Sequence, residues 1–238
     1  MKDAPQLRPE RMLAVLLRHR VRFVILGGYG AMVHGVAGLE PTTDIDICPL
    51  LDAENIVRLR AALDALHAEP FFDETAQPTS LRDLLADLER LRQVKAVMLV
   101  TEFGALDLVI RPDGISRGYD TLEPRAEIRR AVDPDGHQID LDVPVASIRH
   151  IYLSKKEAGR PKDLRALPHL ARAVEQEIRR SRPPAGAGDD ERSGAGEEPV
   201  VVIPAEMKRR SAKQLSGGWV NGYKKRDGTS VKPYKRGE

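Results

Sequence analysis

Asp44 and Asp46 flank Ile45, placing two carboxylates two residues apart in a chain of 238 residues. In an extended strand that spacing turns both to one side, a few ångströms apart. Two like charges that close are costly unless water or a cation neutralises them. Mg²⁺ suits such a pair, as does Mn²⁺, because both take hard oxygen ligands. Asp107 stands between Ala105-Leu106 and Leu108-Val109-Ile110. A lone carboxylate in so apolar a run calls for a partner. If its strand lies beside the Asp-Ile-Asp strand, Asp107 becomes the third ligand. Three carboxylates can hold two divalent ions, one activating an attacking hydroxyl and one bridging a triphosphate. Gly27 and Gly28 complete the set, since without side chains they let phosphate oxygens approach backbone N–H groups at a helix start.

These groups need elements to hold them. Val21–Leu26 is a short apolar run closed by Gly27-Gly28, a buried strand running into a helix over Tyr29–His34. Thr43–Cys48 alternates acidic and apolar residues, a strand with carboxylates on one face. Asp52 is the expected cap of a helix reaching about His67, and one helix is expected over Ser80–Arg92. Lys95–Thr101 and Ala105–Ile110 read as strands joined by a tight turn. Glu127–Val132 and His137–Leu141 flank Asp133-Pro134-Asp135-Gly136, a second hairpin signal. An amphipathic helix is expected over Arg11–Arg20, and two more over Val145–Ala158 and Lys162–Arg180, broken at Gly159 and Pro161. The expected class is α/β (α+β), a small mixed sheet flanked by helices and followed by a helical pair.

The run from Gly27-Gly28 to Thr43-Asp44-Ile45-Asp46, with His34-Gly35 between and Asp107 after, resembles the nucleotidyltransferase superfamily of the polymerase-beta type. Within it the chain looks like the bacterial branch that includes AbiEii-type toxins. Members of that branch carry a later helix with a Lys and an Arg-x-Lys-Asp run, which Ser154-Lys155-Lys156-Glu157-Ala158-Gly159-Arg160-Pro161-Lys162-Asp163 resembles. The likeness spans about residues 20–170. It implies Asp44, Asp46 and Asp107 as catalytic and metal-binding residues. It also implies Gly27, Gly28, Lys155, Arg160 and Lys162 as the nucleotide-binding set, the three cations facing a triphosphate. The implied reaction moves a nucleoside monophosphate from an NTP to a hydroxyl on RNA such as tRNA, a protein or a small molecule. A toxin role implies a cognate antitoxin. Two departures stand out: Leu39-Glu40-Pro41 replaces an Arg often found before the first Asp, and the stretch from Gly28 to Asp44 is slightly long.

Other readings compete. Asp-x-Asp on a strand is also met as a solvated face, and Gly-Gly as a plain turn; the order of all three elements favours a site. Gly28-Tyr29-Gly30 after a strand suggests a dinucleotide fold, but Val33 stands where a third Gly or Ala is needed, and paired carboxylates have no role there. A catalytically silent transferase fold serving as a binding partner or antitoxin is the alternative function. His34 is expected to pack, and Tyr29 to stack or fill space.

Composition sets the rest. Cys48 is the single cysteine, which excludes internal disulfides and multi-cysteine metal sites and fits a reducing, cytoplasmic setting. No apolar run approaches the length of a membrane span, and the charged first twenty residues do not read as a signal peptide. Aromatic residues make up 4% of the chain, too few for an extended base-stacking platform. The expected organisation is a transferase-like domain over 1–181, a linker over 182–199 rich in Pro, Gly, Ala and charge, and a basic motif over 200–238. Residues 204–238 hold ten Lys or Arg against three acids, and Asp227-Gly228 marks a hairpin turn, so this tail is a candidate RNA contact.

Overall fold

The computed structural model describes residues 5–71 and 80–181, together with the backbone of 219–220, 223–224, 230–231 and 234–235. The expected linker, 182–199, lies outside the described residues. Contacts divide the chain into two units, Met1–Ala187 and Gly188–Glu238.

The first unit opens with helix α1 (Pro9–Arg18), strand β1 (Phe23–Leu26), helix α2 (Gly27–Val33), strand β2 (Asp44–Pro49) and helix α3 (Ala53–Ala65). A short strand β3 (Glu69–Pro70), helices α4 (Leu81–Ala86) and α5 (Leu88–Gln93) and the hairpin β4 (Ala96–Thr101) and β5 (Gly104–Val109) follow. Helix α6 (Tyr119–Leu122) leads through a 3-10 turn into the hairpin β6 (Glu127–Val132) and β7 (Gln138–Val145), then helices α7 (Ile148–Ala158) and α8 (Pro161–Ser181). The seven strands form one mixed sheet in the order β3-β4-β5-β2-β1-β7-β6. β2 runs parallel to β5 and β1 parallel to β7, while the other neighbours are antiparallel. The fold is α/β with helices flanking a mixed sheet, as the alternation of patterns indicated.

Side-chain alternation separates the two faces of β2, β5 and β4. Ile45, Ile47, Leu106 and Leu108 are fully buried, and Val97 and Leu99 join them in the core. The residues between them, Asp44, Asp46, Asp107 and Met98, turn the other way and keep access to solvent. On the sheet's other half α2 packs against β1, β2 and β6, and α7 packs against both α2 and α8. The carboxylates therefore sit where helical cover gives way to open sheet.

Capping explains where the helices differ from expectation. The Asp52 carboxylate accepts the Asn55 N–H at 2.7 Å and starts α3, as the sequence indicates. The single helix expected over Ser80–Arg92 is instead two, because Asp87 adopts an extended backbone and its carboxylate accepts the Arg90 N–H at 2.9 Å. A short acidic side chain competes with the helical ladder and restarts it. The helix expected from Val145 begins at Ile148, since Val145 is paired with Ile25 and Glu127 in the sheet and Ser147 caps α7. β3 and α6 are too short to leave a periodic signal.

In the second unit, β8 (Trp219–Val220) pairs antiparallel with β11 (Tyr234–Lys235), and β9 (Tyr223–Lys224) with β10 (Ser230–Val231). All four pairs keep one register, and the turn expected at Asp227-Gly228 lies outside the described residues.

One buried side chain joins the beginning of β1 to the end of β2. Asn55 is 1% exposed; its Oδ1 accepts the Arg22 N–H at 2.6 Å, and its Nδ2 donates to the Arg22 and Leu50 carbonyls at 2.9 Å each. Asn55→Leu strands those three backbone groups, and each unmet buried group costs about 1–3 kcal/mol. The expected loss is about 3 kcal/mol in urea unfolding, and a loss below about 1 kcal/mol would deny Asn55 this role.

Candidate active site

The register of β2 and β5 brings the carboxylates together. Asp46 pairs with Asp107 and Asp44 with Ala105, so all three carboxylates lie on the open face of adjacent strands. Leu26 pairs with Asp46 across β1 and β2, and Gly27 therefore begins α2 directly against the Asp46 side chain. Gly27 has a φ of +71°, and a Cβ there would stand 1.7 Å from Asp46 Oδ2. Both the backbone angle and the space require glycine. A Cβ on Gly28 would come within 3.0 Å of Thr42 Oγ1. That hydroxyl in turn donates to Asp44 Oδ1 at 2.8 Å and fixes the first carboxylate.

Burial first, then the charges of Asp44 and Asp107, push the Asp46 carboxyl up to about 7, while Lys155 and Lys162 pull the other way. Asp107 is pushed up to about 6 by burial and then by Asp44, opposed by Lys162 and Arg160. The three do not form a tight single-ion cage. Among the described residues, the trio whose ligand atoms all lie within 4.8 Å of one another is Asp133, Asp135 and His137. That trio is an exposed turn in which Asp133 Oδ1 accepts the Asp135 and His137 N–H groups. Asp44, Asp46 and Asp107 are not held that tightly as a trio. Their donor set is carboxylate oxygen alone, which fits Mg²⁺ or Mn²⁺ and no softer ion.

The cations come from the α7–α8 corner. Gly159, at a φ of +60°, ends α7 in the left-handed conformation and lets α8 double back. Asp163 thereby lies between Lys155, whose Nζ is 3.0 Å from Oδ1, and Arg160, whose Nε is 2.5 Å from Oδ2. The Asp163 side chain is fully buried and that of Lys155 is 12% exposed, whereas Arg160 remains 61% exposed. Burial opposes ionisation of Asp163, but the hydrogen bonds from Arg160 and Lys155 outweigh it and hold the carboxyl below its usual range. Lys162 is exposed, and its charge acts on both Asp46 and Asp107.

All eight residues singled out from the sequence thus adjoin one another or act on the same charges. Sequence reasoning missed Thr42 and met Asp163 only as the last residue of the run that resembles Arg-x-Lys-Asp. For Asp163 the signal was present, since Lys155 and Arg160 lie eight and three residues before it. Thr42 had none, because its bond depends on where the loop before β2 passes. Tyr29 fills space: it is fully buried and donates its hydroxyl to the Val132 carbonyl at 2.7 Å. His34 packs with Nε2 donating to the Ala146 carbonyl at 2.8 Å.

No family model and no curated protein matches this chain. Solved structures with a similar chain path include two that match over most of their own length. The antibiotic-resistance factor ANT(2'')-Ia is 12% identical at a TM-score of 0.44, over 72% of this chain and 89% of its own. The lincosamide antibiotic adenylyltransferase LnuA, lincomycin-bound, is 16% identical at a TM-score of 0.41, over 70% and 98%. Neither likeness bears on what this chain binds or transfers. Among the described residues no helix is long and apolar enough to cross a membrane.

The raised carboxyls make a stability prediction for the metal-free protein. Asp46 and Asp107 keep their protons to higher pH when folded than at the ordinary value of 3.8. Their contribution is therefore full below about pH 4 and lost as pH rises through about 6 and then about 7. Asp46→Asn, which mimics the protonated form, is expected to melt with the wild type below about pH 4 and several degrees above it at pH 8, both in EDTA. Parallel curves across that range would show that ionising Asp46 costs nothing.

Proposed function

We propose that this chain is a metal-dependent nucleotidyltransferase that moves a nucleoside monophosphate from an NTP to a hydroxyl and releases pyrophosphate. The observation that carries the proposal is the pairing of Asp46 with Asp107, with Asp44 on the same face and the Gly27-Gly28 turn against them. Like charges held this close are destabilising for the metal-free chain, and a phosphate-transfer site gives them a use.

Asp44, Asp46 and Asp107 would hold Mg²⁺ or Mn²⁺, which would supply positive charge at the transferring phosphate. The chain's own groups do the remainder. Backbone N–H groups at Gly27 and Gly28 receive the triphosphate, and Lys155, Arg160 and Lys162 balance its charge from the side of α7 and α8. Asp163 sets where Lys155 and Arg160 stand. Thr42 fixes the rotamer of Asp44. The acceptor oxygen bonds to the α-phosphorus, the bond from that phosphorus to the bridging oxygen breaks, and pyrophosphate leaves with the electron pair. The acceptor's proton passes to Asp107, the carboxylate of the three that lies farthest toward β4. The segment resembling AbiEii-type toxins is the support for a toxin role with an antitoxin partner, and the basic C-terminal hairpin is the support for RNA as acceptor.

Labelled NTPs incubated with the full chain, Mg²⁺ and a pool of RNA and small hydroxyl compounds are expected to release pyrophosphate and label an acceptor, and EDTA is expected to stop both. Asp46→Asn and Asp107→Asn should each lower the rate about 100-fold or more. Lys155→Ala should weaken NTP binding about tenfold or more in calorimetry with Mg²⁺. Retention of a tenth of the wild-type rate by Asp46→Asn would remove the carboxylates from the chemistry.

A further inference from the structure

The open face does not end at Asp107. Met98 pairs with Asp107 across β4 and β5, and Phe71, just beyond β3, donates its N–H to the Met98 carbonyl at 2.8 Å. Glu69 pairs with Val100, and alternation places Phe71, two residues on, above the same face as Met98. One transverse row therefore reads Asp46, Asp107, Met98, Phe71 from the middle of the sheet toward its edge. Met98 is 51% exposed and Phe71 44%, though both are large apolar residues on a sheet whose opposite face is fully packed. Around them the outward positions of β4 and β5 are Ala96, Val100, Ala105 and Val109. None carries a positive charge.

Direction follows from the chemistry, on the transferase reading above. The triphosphate groups, Gly27, Gly28 and Lys155, adjoin Asp46 from the side of β1, α2 and α7. Pyrophosphate leaves on that side, and an in-line displacement brings the attacking hydroxyl from the other. The other side is the row Asp107, Met98, Phe71. A polynucleotide held there would need Lys or Arg for its phosphates, and the row offers thioether, phenyl and methyl groups instead. We infer that Met98 and Phe71 form the acceptor-binding platform, and that the acceptor is a small uncharged hydroxyl compound carrying an aryl or alkyl group beside its reactive oxygen. The acceptor oxygen rests at Asp107 while its apolar group covers Met98 and reaches Phe71. Met98 supplies a polarisable, adaptable contact and Phe71 a flat one, which suits alkyl and aryl groups alike.

Binding and transfer test this separately on the full chain. With the methionine methyl groups carbon-13 labelled, the chain shows few resonances, since it has five methionines; Met98→Leu assigns the one that matters. Added 2-phenylethanol is expected to shift the Met98 methyl at concentrations where glycerol and a short single-stranded RNA do not. In transfer from labelled NTP, Met98→Ser and Phe71→Ser are each expected to lower the ratio of labelled 2-phenylethanol to labelled glycerol about tenfold, the scale of discrimination an apolar pocket supplies. An unmoved Met98 methyl, including one covered by another part of the chain, overturns the platform, as does an unchanged ratio in both variants. Preferential labelling of RNA overturns the small-molecule acceptor. A wild-type chain that releases no pyrophosphate while its Met98 methyl responds to 2-phenylethanol refutes the transferase reading and leaves the apolar site standing.

Discussion

The Asp46 carboxylate is pressed against the backbone of Gly27 and faces Asp107 across a parallel strand pair, and the architecture of the site depends on that contact. Any side chain at position 27 would occupy the place of the carboxylate oxygen. Moving Asp46 away from Gly27 would instead require β1 and β2 to slip, and a one-residue slip turns each strand's buried residues outward. The buried isoleucines and leucines of β2 and β5 thus hold the acidic residues in place, because their hydrophobic burial resists exchange of the two faces.

Charge balance is arranged at one remove from the carboxylates. Lys155 and Arg160 do not pair with Asp44, Asp46 or Asp107 but with Asp163, buried beneath them. A salt bridge inside a protein holds its geometry more reliably than it adds stability, since desolvating both partners consumes most of the attraction. The benefit here is position. Two cations are held beside the site without collapsing onto the acidic cluster, so Asp44, Asp46 and Asp107 stay under-neutralised.

Division of the sheet into a covered and an open half gives the site its polarity. α2, α7 and α8 enclose the half that carries the glycine turn and the cations, and β5, β4 and β3 extend beyond it with polar and apolar groups in one row. An end with the glycine turn and the cations and an apolar end therefore lie on either side of three carboxylates, the arrangement that the proposed transfer from a charged donor to an uncharged acceptor would use.

Much of this was legible in residue order. The alternation in Asp44–Cys48 gave a strand with carboxylates on one face, because a period of two is local to the chain. The apolar run before Gly27-Gly28 gave a strand leading into a helix, and Asp52, Gly159 and Asp133-Pro134-Asp135-Gly136 marked a cap, a helix end and a turn through local hydrogen bonding and backbone preference. Spacing alone could not show that Asp46 and not Asp44 lies opposite Asp107, since register is set by packing between strands distant in the chain. Thr42 was invisible as the holder of Asp44, and the spacing of Lys155 and Arg160 from Asp163 was visible but their meeting there was not, because each acts through a partner brought in by the fold. The row from Asp107 through Met98 to Phe71 was hidden for the same reason. Its members come from three separate segments, and only the pairing of β3, β4 and β5 makes them neighbours.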